Sequence, residues 1–396
     1  MTSVAVSPLR LSERVAAGPP PPATPLLAGG PPLIVLAPMA GITNTAFRRL
    51  CREQMAAAGG VGLFVSEMIT TRALVERNPK TLRLIRFESD EQPRSIQLYG
   101  IDPLVVGAAV RMIVEEDLAD HVDLNFGCPV PKVTRKGGGS ALPWRIELFD
   151  DIVTSAVRNA GELPVTIKMR IGIDAGHHTY REAALRAQDA GVRQVALHGR
   201  TAADFYSGSA DWGPIAELAA LLDIPVLGNG DIWEANDALR MVRETGCAGV
   251  VVGRGCLGRP WLFADLAAAF DGRPERVLPD LRGVSVTMRR HAQLLVEWLD
   301  DEARGVTDFR KHVAWYLKGF SVGGDLRRSM ASASRLAELD GLLAQLDLDQ
   351  SFPAAVLGQP RGRTTGVRSV ALPDGWLQSR GSRAVPSGAE LPDSGG

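Results

Sequence analysis

The residues best placed to do chemistry lie in Asn125-Phe126-Gly127-Cys128-Pro129, after the short apolar run Val122-Asp123-Leu124 and ahead of Gly137-Gly138-Gly139. Pro129 fixes its own φ and biases Cys128 away from helical geometry. A thiol on such a corner is held by backbone stiffness rather than by packing, which suits a group that must meet a substrate. Lys168 and Arg170 end another apolar run, and His198 and Arg200 a third. Gly228-Asn229-Gly230-Asp231 and Gly253-Arg254-Gly255 follow two more. Glycines let a backbone approach an anion, and exposed N–H groups with Arg254 neutralise it, so these two loops read as a phosphate site; the same glycines would also make tight turns. Lys168 reads as a fixed cation beside a cofactor that becomes anionic when reduced, or as a strand-end lysine reaching for solvent. Gln97 and Asn125 could hydrogen-bond the edge of a flat heterocycle or satisfy strand-end backbone groups. His198 could be a core histidine or a mouth residue.

These groups need a frame, and the chain repeats one. Apolar β-rich runs recur at 34–37, 63–66, 95–98, 121–124, 165–168, 194–197, 225–227 and 249–252, separated by helical stretches at 43–58, 103–118, 146–160, 180–190, 214–222, 234–245 and 260–270. The segment after Thr70-Thr71 holds a shorter helix. Near-continuous apolar strands alternating with helices imply a parallel sheet covered by helices. Eight such units predict an α/β fold, a closed (β/α)8 TIM barrel over 32–272. Active sites of such barrels are built from the loops at the strand C-termini. Those positions hold Pro38-Met39-Ala40-Gly41, Glu67, Gln97 with Tyr99-Gly100, Asn125, Cys128, Lys168, His198, Asn229 and Arg254.

Outside the barrel the patterning changes. Residues 1–31 are rich in Pro, Ala and Gly and read as a disordered extension. Residues 273–350 carry amphipathic helices at 285–303, 308–320 and 332–346 with no strands, a small all-helical domain. Residues 351–396 are again rich in Gly, Pro, Ser and Arg and read as a flexible tail. The net charge of −1 means that an anionic partner must be met by a local basic patch. Cys51, Cys128, Cys247 and Cys256 show no metal-binding spacing and no disulfide-rich density. No apolar run approaches a membrane span, and the N-terminus lacks the order of a secretory signal, so a cytoplasmic location is expected.

Leu36-Ala37-Pro38-Met39-Ala40-Gly41, Gln97-Leu98-Tyr99-Gly100, Asn125-Phe126-Gly127-Cys128-Pro129, Lys168-Met169-Arg170, His198-Gly199-Arg200 and Gly228-Asn229-Gly230-Asp231 together resemble the motifs of the bacterial tRNA-dihydrouridine synthases, over 32–346. The resemblance implies an FMN-bearing barrel that reduces the 5,6 double bond of particular uridines in tRNA with NADPH. It implies FMN contacts from Pro38, Met39, Ala40, Gln97, Lys168, His198, Asn229, Gly230, Asp231, Gly253 and Arg254, with Asn125 near the target base. Hydride would pass from the flavin N5 to carbon 6 of uracil, and Cys128 would give its proton to carbon 5. A thiol with an ordinary pKa of ~8.5 is still mostly protonated near neutral pH. RNA must be held through phosphates and shape; Arg135 and Lys136 beside the cysteine loop, and Arg310 and Lys311 in the helical domain, are the expected contacts. No obligate protein partner is implied. Two other readings share the barrel: an FMN oxidoreductase acting on a free pyrimidine or dihydroorotate-like molecule, and a tRNA-binding protein without catalysis. The basic helical domain argues against the small-molecule reading.

Overall fold

The computed structural model describes residues 33–362, 365–386 and 388. The N-terminal extension expected at 1–31 lies outside the described residues.

Eight parallel strands close into a barrel in sequence order: β1 (Leu33–Leu36), β2 (Leu63–Thr70), β3 (Ser95–Tyr99), β4 (His121–Phe126), β5 (Val165–Arg170), β6 (Val195–His198), β7 (Val226–Asn229) and β8 (Gly249–Val252). Closure is made by β1 on β8, where Leu33 pairs with Gly249 and Leu36 with Val252. Alternation along each strand decides what faces inward. Leu33, Val35, Leu63, Val65, Ala196, Leu227 and Val251 form one small apolar cluster, while Ile34, Leu36, Ile96, Leu98, Val122 and Leu124 join the larger core shared with the outer helices.

Between these apolar layers the inner face of β3, β4 and β5 is polar, because register sets Ser95 against His121, Gln97 against Asp123 and Asp123 against Thr166. The hydrogen bonds order themselves by chemistry. Thr166 O–H donates to Asp123 Oδ1 at 2.6 Å, so Thr166 must accept from His121 Nε2 at 2.9 Å, and His121 Nδ1 then accepts from Ser95 at 2.8 Å. Burial pushes His121 down to about 4, which keeps that ring neutral. Gln97 Nε2 donates to the other Asp123 oxygen at 2.7 Å.

The outer helices fall close to their expected places, as with Ile146–Ala160 and Tyr180–Asp189. The stretch after β2 splits into Thr71–Val75 and Pro79–Leu84, because Asn78 caps a new helix at Pro79 by accepting from Lys80 N–H at 3.0 Å. Leu281–Leu299, Glu302–Tyr316, Gly324–Met330 and Leu336–Leu343 form a helical unit around Leu281, Met288, Leu295, Phe309, Val313 and Leu339. Its core continues onto the barrel through Ala46, Leu50 and Trp261. The first two of these helices cross at Gly305, where a Cβ would come within 2.5 Å of the Val296 backbone. The single helix expected at 332–346 begins only at Leu336, since the Ser334 N–H is capped by Glu338 at 2.7 Å.

The flexible tail expected from Ser351 is corrected for the described part of that segment. It lies against the barrel, with Trp376 only 2% exposed and the Arg361 side chain buried. Its composition carries no helical or strand period, yet isolated Arg and Trp side chains anchor it one at a time. Among the described residues, no helix is long and apolar enough to cross a membrane.

Candidate active site

The strand C-termini open into a cavity of about 630 Å³. Pro38, Met39, Ala40, Gln97, Lys168, His198, Asn229, Gly230, Asp231, Gly253 and Arg254 all line it, and so do Asn125, Cys128 and Lys136. Period-two alternation explains the convergence. Asn125 pairs in register with Lys168, and one inward step further along the strands Arg170 pairs with His198 and His198 with Asn229, so two successive inward rows of β4 to β7 meet at the cavity.

Cys128 is held by its neighbours rather than by burial alone. Asn125 Oδ1 accepts the N–H of Gly127 at 3.1 Å and of Cys128 at 2.9 Å, and Asn125 Nδ2 donates to Gln97 Oε1 at 2.8 Å. The corner is therefore tied through Gln97 to Asp123 inside the barrel. On the other side, Ser140 donates its N–H and its hydroxyl to the Cys128 carbonyl at 3.1 and 3.0 Å. Arg170 Nε donates to the Gly127 carbonyl at 2.9 Å. Burial pushes the Cys128 thiol above the ordinary cysteine value, against the opposing pull of the Val130 N–H, Arg170 and Lys168. Cys51, Cys247 and Cys256 are buried and Cys128 half-buried.

Lys168 Nζ donates to Asn229 Oδ1 at 2.9 Å, and Asn229 Nδ2 donates to the Val251 carbonyl at 2.6 Å. Burial, aided by Arg170, lowers Lys168 to about 8. His198 falls well below the ordinary histidine range, first through burial and then through Arg170 and Lys168, so its ring is neutral. Arg254 lies between the rings of Tyr206 at 4.3 Å and Trp233 at 5.0 Å. Asp231 lines the cavity, but its carboxylate is already engaged by protein groups, with Arg254 of the same wall at 3.7 Å. It takes Arg200 in a bidentate pair at 2.8 and 2.9 Å and the Ala210 N–H at 2.7 Å. The charge balance of the wall is one-sided: Arg72, Lys132, Lys136, Lys168, Arg170 and Arg254 face the cavity against Asp231 alone among its described lining residues. Such a wall favours an anionic ligand.

Several positions lie elsewhere. Glu67 sits within β2 rather than at its end, buried, and accepts from the Gly41 N–H to fix the loop after β1. Arg135 is exposed and does not line the cavity. Arg310 Nε donates to the Ala333 carbonyl at 2.7 Å inside the helical unit, whereas Lys311 is exposed and pairs with Asp308 at 2.7 Å. Tyr206, Trp233 and Trp315 line the cavity without having been singled out for it; an aromatic in a polar loop after a barrel strand is the signal that marks Tyr206 and Trp233.

The fold and site define a (β/α)8-barrel protein with a deep, cation-lined cleft and one thiol at its mouth. The family model described as "Dihydrouridine synthase (Dus)" matches residues 35–354. A "Probable tRNA-dihydrouridine synthase" of Mycobacterium tuberculosis is 54% identical over 368 residues, covering 92% of this chain and 94% of the relative. One of Mycobacterium leprae is 51% identical over 386 residues, covering 91% and 100%. A "tRNA-dihydrouridine synthase B" of Xanthomonas axonopodis pv. citri is 37% identical over 330 residues, covering 83% and 95%. The chain belongs to the dihydrouridine synthase family.

Proposed function

We propose that the chain is a tRNA-dihydrouridine synthase, an FMN-dependent oxidoreductase that uses NADPH to reduce the 5,6 double bond of specific uridines in tRNA. The observation that carries this reading is that the Cys128 thiol, Lys168 and the Gly230 and Arg254 loops face one cavity.

The residues present fit a flavin mononucleotide. The buried ammonium of Lys168 meets a neutral amide oxygen of Asn229, leaving its charge available to an anionic ring edge. Gly230, with φ +124°, and Gly253 expose backbone beside Arg254, as a phosphate requires. Pro38, Met39, Ala40, Gln97, Lys168, His198 and Asn229 would hold the ring system, and Gly230, Gly253 and Arg254 the phosphate. Asp231 would take part through its main chain and by holding Arg200. When bound, FMN supplies hydride to carbon 6 of uracil, with NADPH as the reductant.

Cys128 completes the addition. Its S–H bond breaks, the proton goes to carbon 5, and the thiolate recovers a proton from water. Burial keeps the thiol protonated at neutral pH, while Lys168 and Arg170 stabilise the thiolate once the proton has left. A uridine must leave the tRNA stack to reach this depth. Arg72, Lys132 and Lys136 on the cavity wall, with Lys311 and the helical unit beside it, supply the charge that meets tRNA phosphates.

The test is to supply the purified chain with FMN, NADPH and unmodified tRNA, and to follow uridine by mass. The expected product is uridine carrying two added hydrogens at defined positions. A chain that takes up no FMN, or one that turns over free uracil or dihydroorotate as well as tRNA, overturns the reading.

A further inference from the structure

Beyond the residues matched by the family model, the described part of the chain lies as a strap over the barrel. The Arg361 guanidinium, buried, donates to the carbonyls of Leu257 and Trp315, both at 3.0 Å, and Gly362 adds a wall to the cavity. Thr365 Oγ1 accepts the Tyr206 N–H at 3.3 Å, and the Arg368 N–H donates to the Ala203 carbonyl at 2.9 Å. The strap then reaches Trp376, whose indole N–H donates to the Ala141 carbonyl at 3.0 Å. The Arg145 guanidinium stacks on the Trp376 ring at 4.5 Å, and its Nε donates to the Trp376 carbonyl at 2.9 Å.

What Trp376 touches is the turn that holds Cys128. The indole lies directly on Gly137, where a Cβ would come within 2.5 Å of the ring, and Gly137 has a φ of +82°. Ala141 follows Ser140, whose N–H and hydroxyl hold the Cys128 carbonyl. At Gly139 a Cβ would meet that same carbonyl at 2.5 Å. The turn 137–141 is thus gripped on one side by Cys128 and on the other by Trp376, with no room for it to shift between them.

We propose that Trp376 is a positioning residue for the Cys128 thiol, acting through the turn at residues 137–141. The proposal rests on the reading of Cys128 as the proton donor. It gives the strap a task in the reaction: the indole braces the turn that holds the Cys128 carbonyl, from a segment distant in sequence.

The experiment compares the full chain with its Trp376→Ala and Trp376→Phe variants, all loaded with FMN. The first readout is the rate of Cys128 alkylation by iodoacetamide across pH, which reports one thiol because Cys51, Cys247 and Cys256 are buried. The second is kcat and KM with tRNA. A role confined to stability would lower the unfolding midpoint and leave the folded thiol's alkylation profile in place. For Trp376→Ala the expected result is a severalfold change in alkylation rate and a fall in kcat of about tenfold or more, since small misplacements of reacting groups are costly. FMN occupancy and KM should hold. Trp376→Phe keeps the stack on Arg145 but loses the bond to Ala141, so it should shift both readouts in the same direction by less. Alkylation and kcat unchanged in Trp376→Ala overturn the proposal; if that variant does not fold, an unchanged alkylation profile in Trp376→Phe does so. A shifted alkylation rate in a chain that reduces no tRNA supports the positioning role and overturns the functional reading alone.

Discussion

Asn125 Oδ1 accepts the backbone N–H of Cys128 at 2.9 Å, so the amide near the end of β4 sets the corner that presents the thiol. Its other end is anchored on Gln97 at 2.8 Å, which is itself anchored on the buried Asp123. Pro129 alone would stiffen the corner without aiming it. Replacing Asn125 by alanine frees the Gly127 and Cys128 N–H groups and removes the link to the barrel interior. The expected outcome is a fall of about a hundredfold in single-turnover dihydrouridine formation, the scale associated with slight misplacement of a reacting group. Reduction of FMN by NADPH should be little changed. Rapid-mixing measurements of the two half-reactions check this; a loss confined to flavin reduction would contradict it.

The ammonium of Lys168 is lowered to about 8, first by burial and then by the charge of Arg170. The lysine is therefore cationic below that pH and neutral above it. A ring carbonyl accepting from Nζ is held more strongly by the charged donor than by the neutral amine, so binding takes up a proton wherever the free lysine has lost one. FMN affinity should be level at pH values below about 8 and should decline as pH rises past it. Lys168→Met should remove that slope and weaken FMN binding by roughly tenfold, the scale of a hydrogen bond to a charged group. Fluorescence titration of FMN over a pH series measures both. The same affinity and slope in the variant would remove Lys168 from the cofactor site.

Arg310 and Lys311 are neighbours in sequence with different tasks. Arg310 holds the Ala333 carbonyl and so ties Glu302–Tyr316 to the turn after Gly324–Met330, while Lys311 is exposed near Gly41 at the loop after β1. Lys311→Glu should raise KM for tRNA, with a loss that grows as salt is lowered, and leave flavin reduction untouched. Arg310→Ala should lower unfolding stability by about 1.5–3 kcal/mol, the worth of a charged hydrogen bond. Denaturant titration and tRNA kinetics separate the two; an unchanged KM in Lys311→Glu would clear that residue of RNA contact.

The barrel was legible because nearly every strand is a short apolar run with a polar residue at or near its C-terminus, and period-two alternation turns Gln97, Asn125, Lys168, His198 and Asn229 inward together. What alternation does not convey is which side chain a neighbour has already claimed. Asp231 has the position of a ligand but gives its carboxylate to Arg200, and Arg310 has the charge of an RNA contact but gives it to a carbonyl. The inner polar ladder from Ser95 to Asp123 depends on register between strands 26 to 45 residues apart, which no local pattern reports. Trp376 was hidden for a related reason. Its segment has the composition of a linker, and only the Gly137 surface and the Ala141 carbonyl, far away in sequence, give that indole a place.

The central claim is that Cys128 delivers the proton, and the most direct test is a single-turnover reaction of the Cys128→Ala chain, reduced in advance by NADPH and then mixed with unmodified tRNA. General acid catalysis is typically worth ~10²–10⁴-fold, so dihydrouridine should form slower by about that factor while NADPH still reduces the bound FMN at the rate of the unsubstituted chain. Dihydrouridine formed by Cys128→Ala at the unsubstituted rate would contradict the account.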